Sequence, residues 1–434
     1  MDVSGRRWVV WSVGLFAYLV GVMNRTTFGV AGLDAADRFG AAPAVLSGFL
    51  VLQLLVYAAL QIPTGLLLDR FGARRLVVLG ALVMAVGQLL LALASTLPLA
   101  IAARVLVGAG DALTFISVLS VVNAWFPARQ VPVLTQLTGL LGQGGQVLSA
   151  VPFALLLHHV GWAPAFVSAA ALGVAAALAV LAVFRNRPAG VTAPVAAASW
   201  RDVRALLRSS WTEPGTRLGL WTHTGTQFAG TVFALMWGVP YLVAGQGMSP
   251  AAAGALLTVL VVVGVVAGPA FGEFAARRPM RRSWLVIGVI TTTAAAWTAV
   301  LLVPPPVPAW LLVLLVVVLA AGGPASMIGF DYARTSNPGY RQGTAVGIVN
   351  IGGFTASLLV TLAVGAVLGI AGGYTPGAFR VAWTVQYVVW GLALVGIVVA
   401  RRRTRRRLVE QGEVVPPAWH PLRRREVAVE RAAA

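Results

Sequence analysis

Long apolar runs separated by short polar turns dominate this chain from one end to the other. A bilayer crossing takes about 20 mostly apolar residues. Twelve such runs are present, near Trp8–Leu33, Val45–Leu68, Leu76–Ala94, Leu97–Asn123, Val131–Leu157, Ala163–Phe184, Leu218–Val243, Ala251–Phe271, Ser283–Val303, Val307–Phe330, Gln342–Leu368 and Phe379–Ala400. The pattern predicts an all-α membrane protein of twelve transmembrane helices. The first run is too long for the core of a signal peptide and has no small-residue cleavage site, so it reads as a membrane helix. The longest hydrophilic interruption, Arg185 to Arg217, holds Pro188, Pro194, Pro214, Trp200 and the basic stretch Arg201–Arg208, and it follows the sixth run. The expected organisation is an amino-terminal six-helix bundle (1–184), a cytoplasmic linker (185–217), a second six-helix bundle (218–400) and a basic tail (401–434).

Composition agrees with this pattern, since 59% of the residues are hydrophobic and 10% charged, against about a quarter charged in soluble domains. Every one of the 32 basic residues is Arg, and Ala, Gly, Val and Leu are the commonest residues; this fits a GC-rich bacterial genome and an inner-membrane location. The net charge of +19 does not point to nucleic acid, because such binding needs a basic face on a folded domain and these arginines sit in short loops between spans. With the amino terminus inside, 28 of the 32 fall in cytoplasmic segments, and outer loops hold only Arg38 and Arg380. The positive-inside rule then places both termini in the cytoplasm. There is no cysteine, so disulfides and thiolate metal sites are excluded, and no cofactor or metal is expected. The tail arginines Arg401–Arg407 and Arg423–Arg425 read as an anchor to anionic lipid.

The segment Gly65-Leu-Leu-Leu-Asp-Arg-Phe-Gly-Ala-Arg-Arg75 lies between the second and third runs. It resembles the loop that joins the second and third helices in the major facilitator superfamily of secondary transporters. A related segment, Gly268-Pro-Ala-Phe-Gly-Glu-Phe-Ala-Ala-Arg-Arg278, follows the eighth run, and Gly139, Gly144 and Gly145 repeat the spacing of Gly347, Gly352 and Gly353. Two parallel repeats are the expected plan of such a transporter. The resemblance implies two pseudo-symmetric halves that work by alternating access, with Asp69, Arg70, Gly72, Arg74 and Arg75 forming a cytoplasmic gate that latches the halves. A carboxylate there can cap a helix amino terminus, and arginines can meet helix carboxyl ends or anionic lipid. In the second copy Gly272 and Glu273 replace the Asp-Arg pair, so the latch is expected to be asymmetric.

Charge inside a span is costly and marks a polar cavity or a partner. The fourth run carries Arg104, Gly108 and Asp111, whose four- and seven-residue spacings share one helical face. The resemblance to the superfamily's Arg-then-Gly signature makes Arg104 a candidate for proton coupling; Asp111, the one obvious mid-span acid, is expected to carry or control the proton. A structural ion pair is the other reading of Arg104. Arg25 lies in the first run, about 12 Å inward from the end drawn at Leu33, at 1.5 Å per residue. Two guanidiniums with one acid leave a positive excess that an anionic solute would relieve. The Asn24-Arg25 pair resembles the Asp-Arg pair of organic-anion symporters in the superfamily, with Asn24 where their aspartate stands; a snorkelling or carbonyl-bonded arginine is the alternative for Arg25.

Gln53, Tyr57 and Gln61 form a polar stripe at four-residue intervals, which must face protein or water. With Gln143, Gln146 and Asn350 they are expected either to line the solute path or to bridge helices. His223, with Gln227 on the same face, reads as a solvated interfacial histidine, and Asp331 with Arg334 as a gate or surface pair. The glycines of the fifth and eleventh runs resemble those of nitrate porters, whose binding arginines on the second and eighth helices are missing here. Sugar-phosphate exchangers share the first-helix arginine, but their seventh-helix arginine is absent, and the drug-exporter Gly-Pro pattern of the fifth helix is not matched. No phosphate-cradling Gly-rich loop with Lys is present, and four scattered histidines supply no catalytic cluster. The expectation is therefore a monomeric, non-enzymatic, proton-coupled symporter of a small anion in the lipid bilayer, nearest to the nitrate-porter-like or organic-anion branches. The alternative is a proton-driven exporter of hydrophobic or cationic compounds.

Overall fold

The computed structural model describes residues 3–40, 43–188, 200–413 and 415, and among them there are helices and turns and no strand. Twelve helical stretches are long and apolar enough to cross a membrane. They are α1 (Gly5–Val30), α2 (Val51–Phe71), α3 (Ala73–Leu93), α4 (Leu97–Trp125), α5 (Val131–Val160), α6 (Trp162–Val183), α7 (Pro214–Gly245), α8 (Pro250–Arg277), α9 (Pro279–Leu302), α10 (Ala309–Ser336), α11 (Gly339–Ile370) and α12 (Pro376–Glu410). The pattern's twelve runs are all there.

Their ends differ from the expected ones where polar residues extend or interrupt a helix. A turn at Ala31 closes α1, and a separate short helix, Gly32–Phe39, follows and stops at Gly40, which is left-handed at φ 57°. Arg25 is therefore about 7.5 Å from the end of α1 rather than 12 Å. Arginine is a good helix former, so α12 runs on through Arg401–Arg407 to Glu410 instead of ending where the apolar run ends. This extension is held by protein: Arg401 Nε donates to Ser283 Oγ at 2.8 Å, and Arg407 Nη1 lies 2.9 Å from Glu213 Oε2. Arg401 and Arg407 thus have protein partners, while Arg402, Arg403 and Arg406 are exposed. Arg423–Arg425 and the linker stretch around Pro194 lie outside the described residues.

The chain divides into two compact units. Unit 1 comprises Met1–Trp125, Leu137–Trp211 and Asn337–Leu362. Within it α3 packs along α4 and α6, α1 along α5 and α6, and α2 along α4. Part of its core is a cluster that includes Phe28, Phe49, Phe153 and Phe166. Unit 2 comprises Phe126–Gln136, Thr212–Ser336 and Ala363–Ala434. There α7 packs along α10 and α12, and both α8 and α9 pack along α10. Its core holds Phe233, Tyr241, Trp297, Phe379 and Trp383, with the Trp297 and Trp383 rings 4.5 Å apart.

Glycines let backbones meet in both units. In unit 1, side chains at Gly142 and Gly145 of α5 would collide with Tyr18 and with the Leu19 carbonyl of α1. Gly347 of α11 faces the Gln61 carbonyl in the same way. In unit 2, Gly272 lies against Pro132 and Val133 at the start of α5, so the repeat's replacement of aspartate by glycine gives close packing in place of a carboxylate.

Candidate functional site

The mid-span charges meet in unit 1. Helix α1 has no acid of its own, and α4 brings one to it: Asp111 Oδ2 lies 3.3 Å from Arg25 Nη1. The Asp111 side chain is 1% exposed and that of Arg25 20%, so Arg25 is the open member of the pair. Arg104 crosses behind them at 2% exposure. Its Nη2 donates to the Arg25 carbonyl at 2.8 Å and to Gln53 Oε1, and its Nη1 to the Asn24 carbonyl at 3.4 Å. Its guanidinium also sits 5.4 Å over the Phe28 ring, which stacks on Phe49 at 4.6 Å.

Among the described residues the partners of Arg104 are carbonyls, an amide and a ring, with no carboxylate in ion-pair contact. Neutral acceptors and a ring face offset part of the cost of burying the charge. The site as a whole keeps two guanidiniums and one acid. Among the described residues one buried Asp111 oxygen has no donor, Arg104 Nε has no acceptor, and both side-chain polar atoms of fully buried Asn24 are unpaired.

A second polar group adjoins. Asn350 Nδ2 of α11 donates to Gln61 Oε1 at 2.6 Å and to the Tyr57 hydroxyl at 3.4 Å, and the Tyr57 ring lies 4.3 Å from that of Phe354. Gln143 of α5 donates to the Tyr18 hydroxyl at 3.4 Å and accepts from Gln146. Tyr18 in turn borders the Arg25 guanidinium. The stripe on α2 therefore divides its work, with Gln53 serving Arg104 while Tyr57 and Gln61 serve Asn350.

Sequence reasoning passed over Tyr18, Thr27 and Gln88. Gln88 of α3 is fully buried and donates to the Asn24 carbonyl at 2.9 Å and to Thr27 Oγ1 at 3.1 Å. A lone amide in an apolar run is a signal by itself, because lipid cannot satisfy it. Tyr18 was legible too, being two helical turns before Arg25 on the same face.

The Asp69 loop lies at one end of unit 1. The carboxylate accepts from the Gly343 and Thr344 amides, each at 2.7 Å, and from Thr344 Oγ1 at 2.6 Å. These amides belong to the first turn of the α-helix that begins at Gln342, where backbone donors have no partner of their own. Gly72 makes the turn at φ 78°. Arg74 donates through its amide to Asn186 Oδ1 at 2.7 Å and through Nη2 to the Leu181 carbonyl in the last turn of α6. Arg70 lies over the Phe71 ring at 5.3 Å, and Arg75 is exposed.

Two expectations in unit 2 are corrected. His223 is 1% exposed, with Nδ1 at 3.2 Å from the Ser326 carbonyl and its ring 4.9 Å from Phe330, so it is a buried residue of the α7–α10 contact and not a solvated one. Asp331 and Arg334 pair at 3.4 Å with both side chains largely buried, which corrects the surface half of the gate-or-surface expectation.

Residues 14–361 match the family model of the Major Facilitator Superfamily. The chain belongs to that superfamily. Among its superfamily relatives is the probable galactarate/D-glucarate transporter of Escherichia coli K12, 26% identical over 301 residues, which are 61% of this chain and 64% of the relative. A probable L-galactonate transporter of the same organism is 24% identical over 172 residues (40% and 38%). A methyl viologen resistance protein of Salmonella typhimurium LT2 is 26% identical over 162 residues (37% and 33%). The chain thus spans less than two thirds of the length of these relatives. The crystal structure of the human organic anion transporter TETRAN aligns with a TM-score of 0.63 at 16% identity, covering 89% of this chain and 99% of that one. A bacterial homologue of the human lysosomal transporter Spinster, inward-facing and unoccupied, aligns at 0.57 and 17% identity, covering 92% and 97%. At such identities these two establish the shared fold alone.

Proposed function

We propose that this superfamily member is a secondary active transporter of a small organic anion, driven by protons and working by alternating access between two halves of six spans. The observation that carries the reading is the charge imbalance at the centre of unit 1: two converging guanidiniums, one carboxylate, and the surplus presented on the partly open edge of Arg25. The relatives named for galactarate, glucarate and galactonate transport support it.

The geometry suggests how the proton acts. While Asp111 is ionised it occupies Arg25. A proton on Asp111 removes that competitor and leaves Arg25 free to grip a carboxylate bidentately. Proton and anion then bind with positive coupling, and the coupling is reciprocal. Asn24, Gln53, Tyr57, Gln143 and Asn350 are the proposed polar contacts around the solute. At the other level of the site, the Asp69 cap on α11 ties the second span to the eleventh and serves as the latch of one state of the cycle. The arginine distribution assigns that end, and both termini, to the cytoplasmic face of a bacterial inner membrane.

Purified protein in proteoliposomes tests the reading. Uptake of labelled glucarate or galactonate should require an imposed proton gradient, and thermal-shift screening should rank organic acids above cations, because a ligand that binds the folded state raises its apparent stability. Accumulation of a cation, with no response to any anion, would sink it. The second reading, export of hydrophobic or cationic compounds, rests on the methyl viologen resistance relative and would then take its place.

A further inference from the structure

Two arginines at one end of unit 2 come together with no acid paired to either among the described residues, the nearby Asp331 being paired with Arg334. Arg282 opens the α-helical part of α9, is 5% exposed, and donates from Nε to the Ala275 carbonyl at 3.1 Å. Among the described residues its two Nη groups meet no acceptor. Arg401 of α12 donates from Nε to Ser283 Oγ, lies 4.8 Å over the Trp284 ring, and keeps a buried Nη2 without an acceptor. Ser283 and Trp284 directly follow Arg282, so both guanidiniums converge on the first turn of this helix, which no side chain caps. The Tyr332 hydroxyl of α10 faces the same place, with Ser283, Arg282 and Arg401 close by.

The acids of the neighbourhood have other partners. Asp331 pairs with Arg334, Glu273 with Arg277, Glu213 with Arg407 and Glu410 with Arg406. A desolvated guanidinium with unused donors is unfavourable on its own, and the first turn of a helix adds positive potential. A multivalent oxyanion answers both.

We propose that Arg282, Arg401, Ser283 and Tyr332 form a binding site for a phosphate group. The guanidinium forks suit phosphate oxygens bidentately, the two hydroxyls supply further donors, and a tetrahedral anion has enough acceptors to engage α9, α10 and α12 together. The phosphate belongs either to the headgroup of an anionic phospholipid or to a free soluble phosphate. The site shares no residue with the Arg25 cluster and does not depend on what the transporter carries.

The full-length purified protein decides it. Native mass spectrometry with phosphatidylglycerol, and with phosphatidylcholine as the zwitterionic control, reads the headgroup. Thermal shift with inorganic phosphate, against chloride at matched ionic strength, reads the soluble anion. The parent should bind at least one phosphate probe, and Arg282→Gln and Arg401→Gln should each weaken that binding about tenfold or more. Arg406→Gln, on the exposed side of the same basic helix, should leave it unchanged. Selective retention of phosphatidylglycerol assigns the headgroup, and a response to phosphate alone assigns the soluble anion. Should Arg282→Gln not fold, Arg401→Lys, which keeps the charge and loses the fork, must show the same weakening. Binding of neither probe by the parent, equal binding in parent and variants, or an equal loss in Arg406→Gln overturns the proposal.

Discussion

Arg25 and Arg104 carry the same charge at the same site and are held in different ways. Arg104 is enclosed by carbonyls, Gln53 and Phe28, whereas Arg25 has one carboxylate and a partly open edge. Arg25 is therefore the residue whose loss should act on solute binding. Arg25→Lys keeps the charge and loses the planar fork; a charge-assisted hydrogen bond contributes about 1.5–3 kcal/mol, so anion affinity should fall roughly ten- to a hundredfold in calorimetry. Arg25→Ala should abolish binding while the protein remains monodisperse. Asp111 is predicted to set the proton linkage. In the proposed symport the proton and the anion bind together, so anion affinity should rise as pH falls, by up to about tenfold per pH unit where Asp111 changes state. In Asp111→Asn that slope should vanish, with solute exchange retained and gradient-driven accumulation lost. An unchanged slope would make Asp111 structural.

At the scale of elements, a cap and a close approach hold α11 against α2. The Asp69 carboxylate takes the place of a local N-cap on the Gly343 and Thr344 amides. Loss of such a cap costs about 0.5–2 kcal/mol, so Asp69→Asn should insert normally and show faster amide hydrogen exchange at Gly343 and Thr344, together with slower transport. Exchange as slow as in the parent would show that the cap contributes nothing. The neighbouring approach has no room for a side chain: Gly347 lies on the Gln61 carbonyl. Gly347→Ala should therefore cost about 1–3 kcal/mol through overpacking and lower the melting temperature. Gly288→Ala, on a helix face with nothing within 4 Å, should not. The sequence showed the glycine spacing but not its object, because a small residue in an apolar helix looks the same whether it faces lipid or a neighbouring backbone.

For the whole molecule, the arginine distribution makes the sharpest prediction, since 28 of 32 fall on one side of the predicted topology. The chain has no cysteine, so a single introduced thiol reports its side directly. In intact cells a membrane-impermeant maleimide should label Thr96→Cys, between α3 and α4, and should reach Arg187→Cys, beyond α6, only after permeabilisation. The reverse pattern would invert the topology and move the Asp69 cap to the outer face.

Much of this protein was settled by its sequence alone. Twelve apolar runs dictate twelve helices, since a backbone in lipid must satisfy its own hydrogen bonds, and isolated charges such as Arg25, Arg104 and Asp111 stand out because each is costly there. The Asp69 loop was legible as a motif. Partnership was not. Asp111 takes Arg25 from α1 rather than Arg104 seven residues away on its own helix, Asn350 takes Gln61, and Gln88 joins a network with Asn24. His223 is buried where the pattern placed it near an interface. Within a membrane, lipid and protein interior are about equally apolar, so high hydropathy serves both the mostly enclosed α4 and the largely uncovered α8. Which face of each helix turns inward, and so which polar groups meet, is decided by how the helices pack.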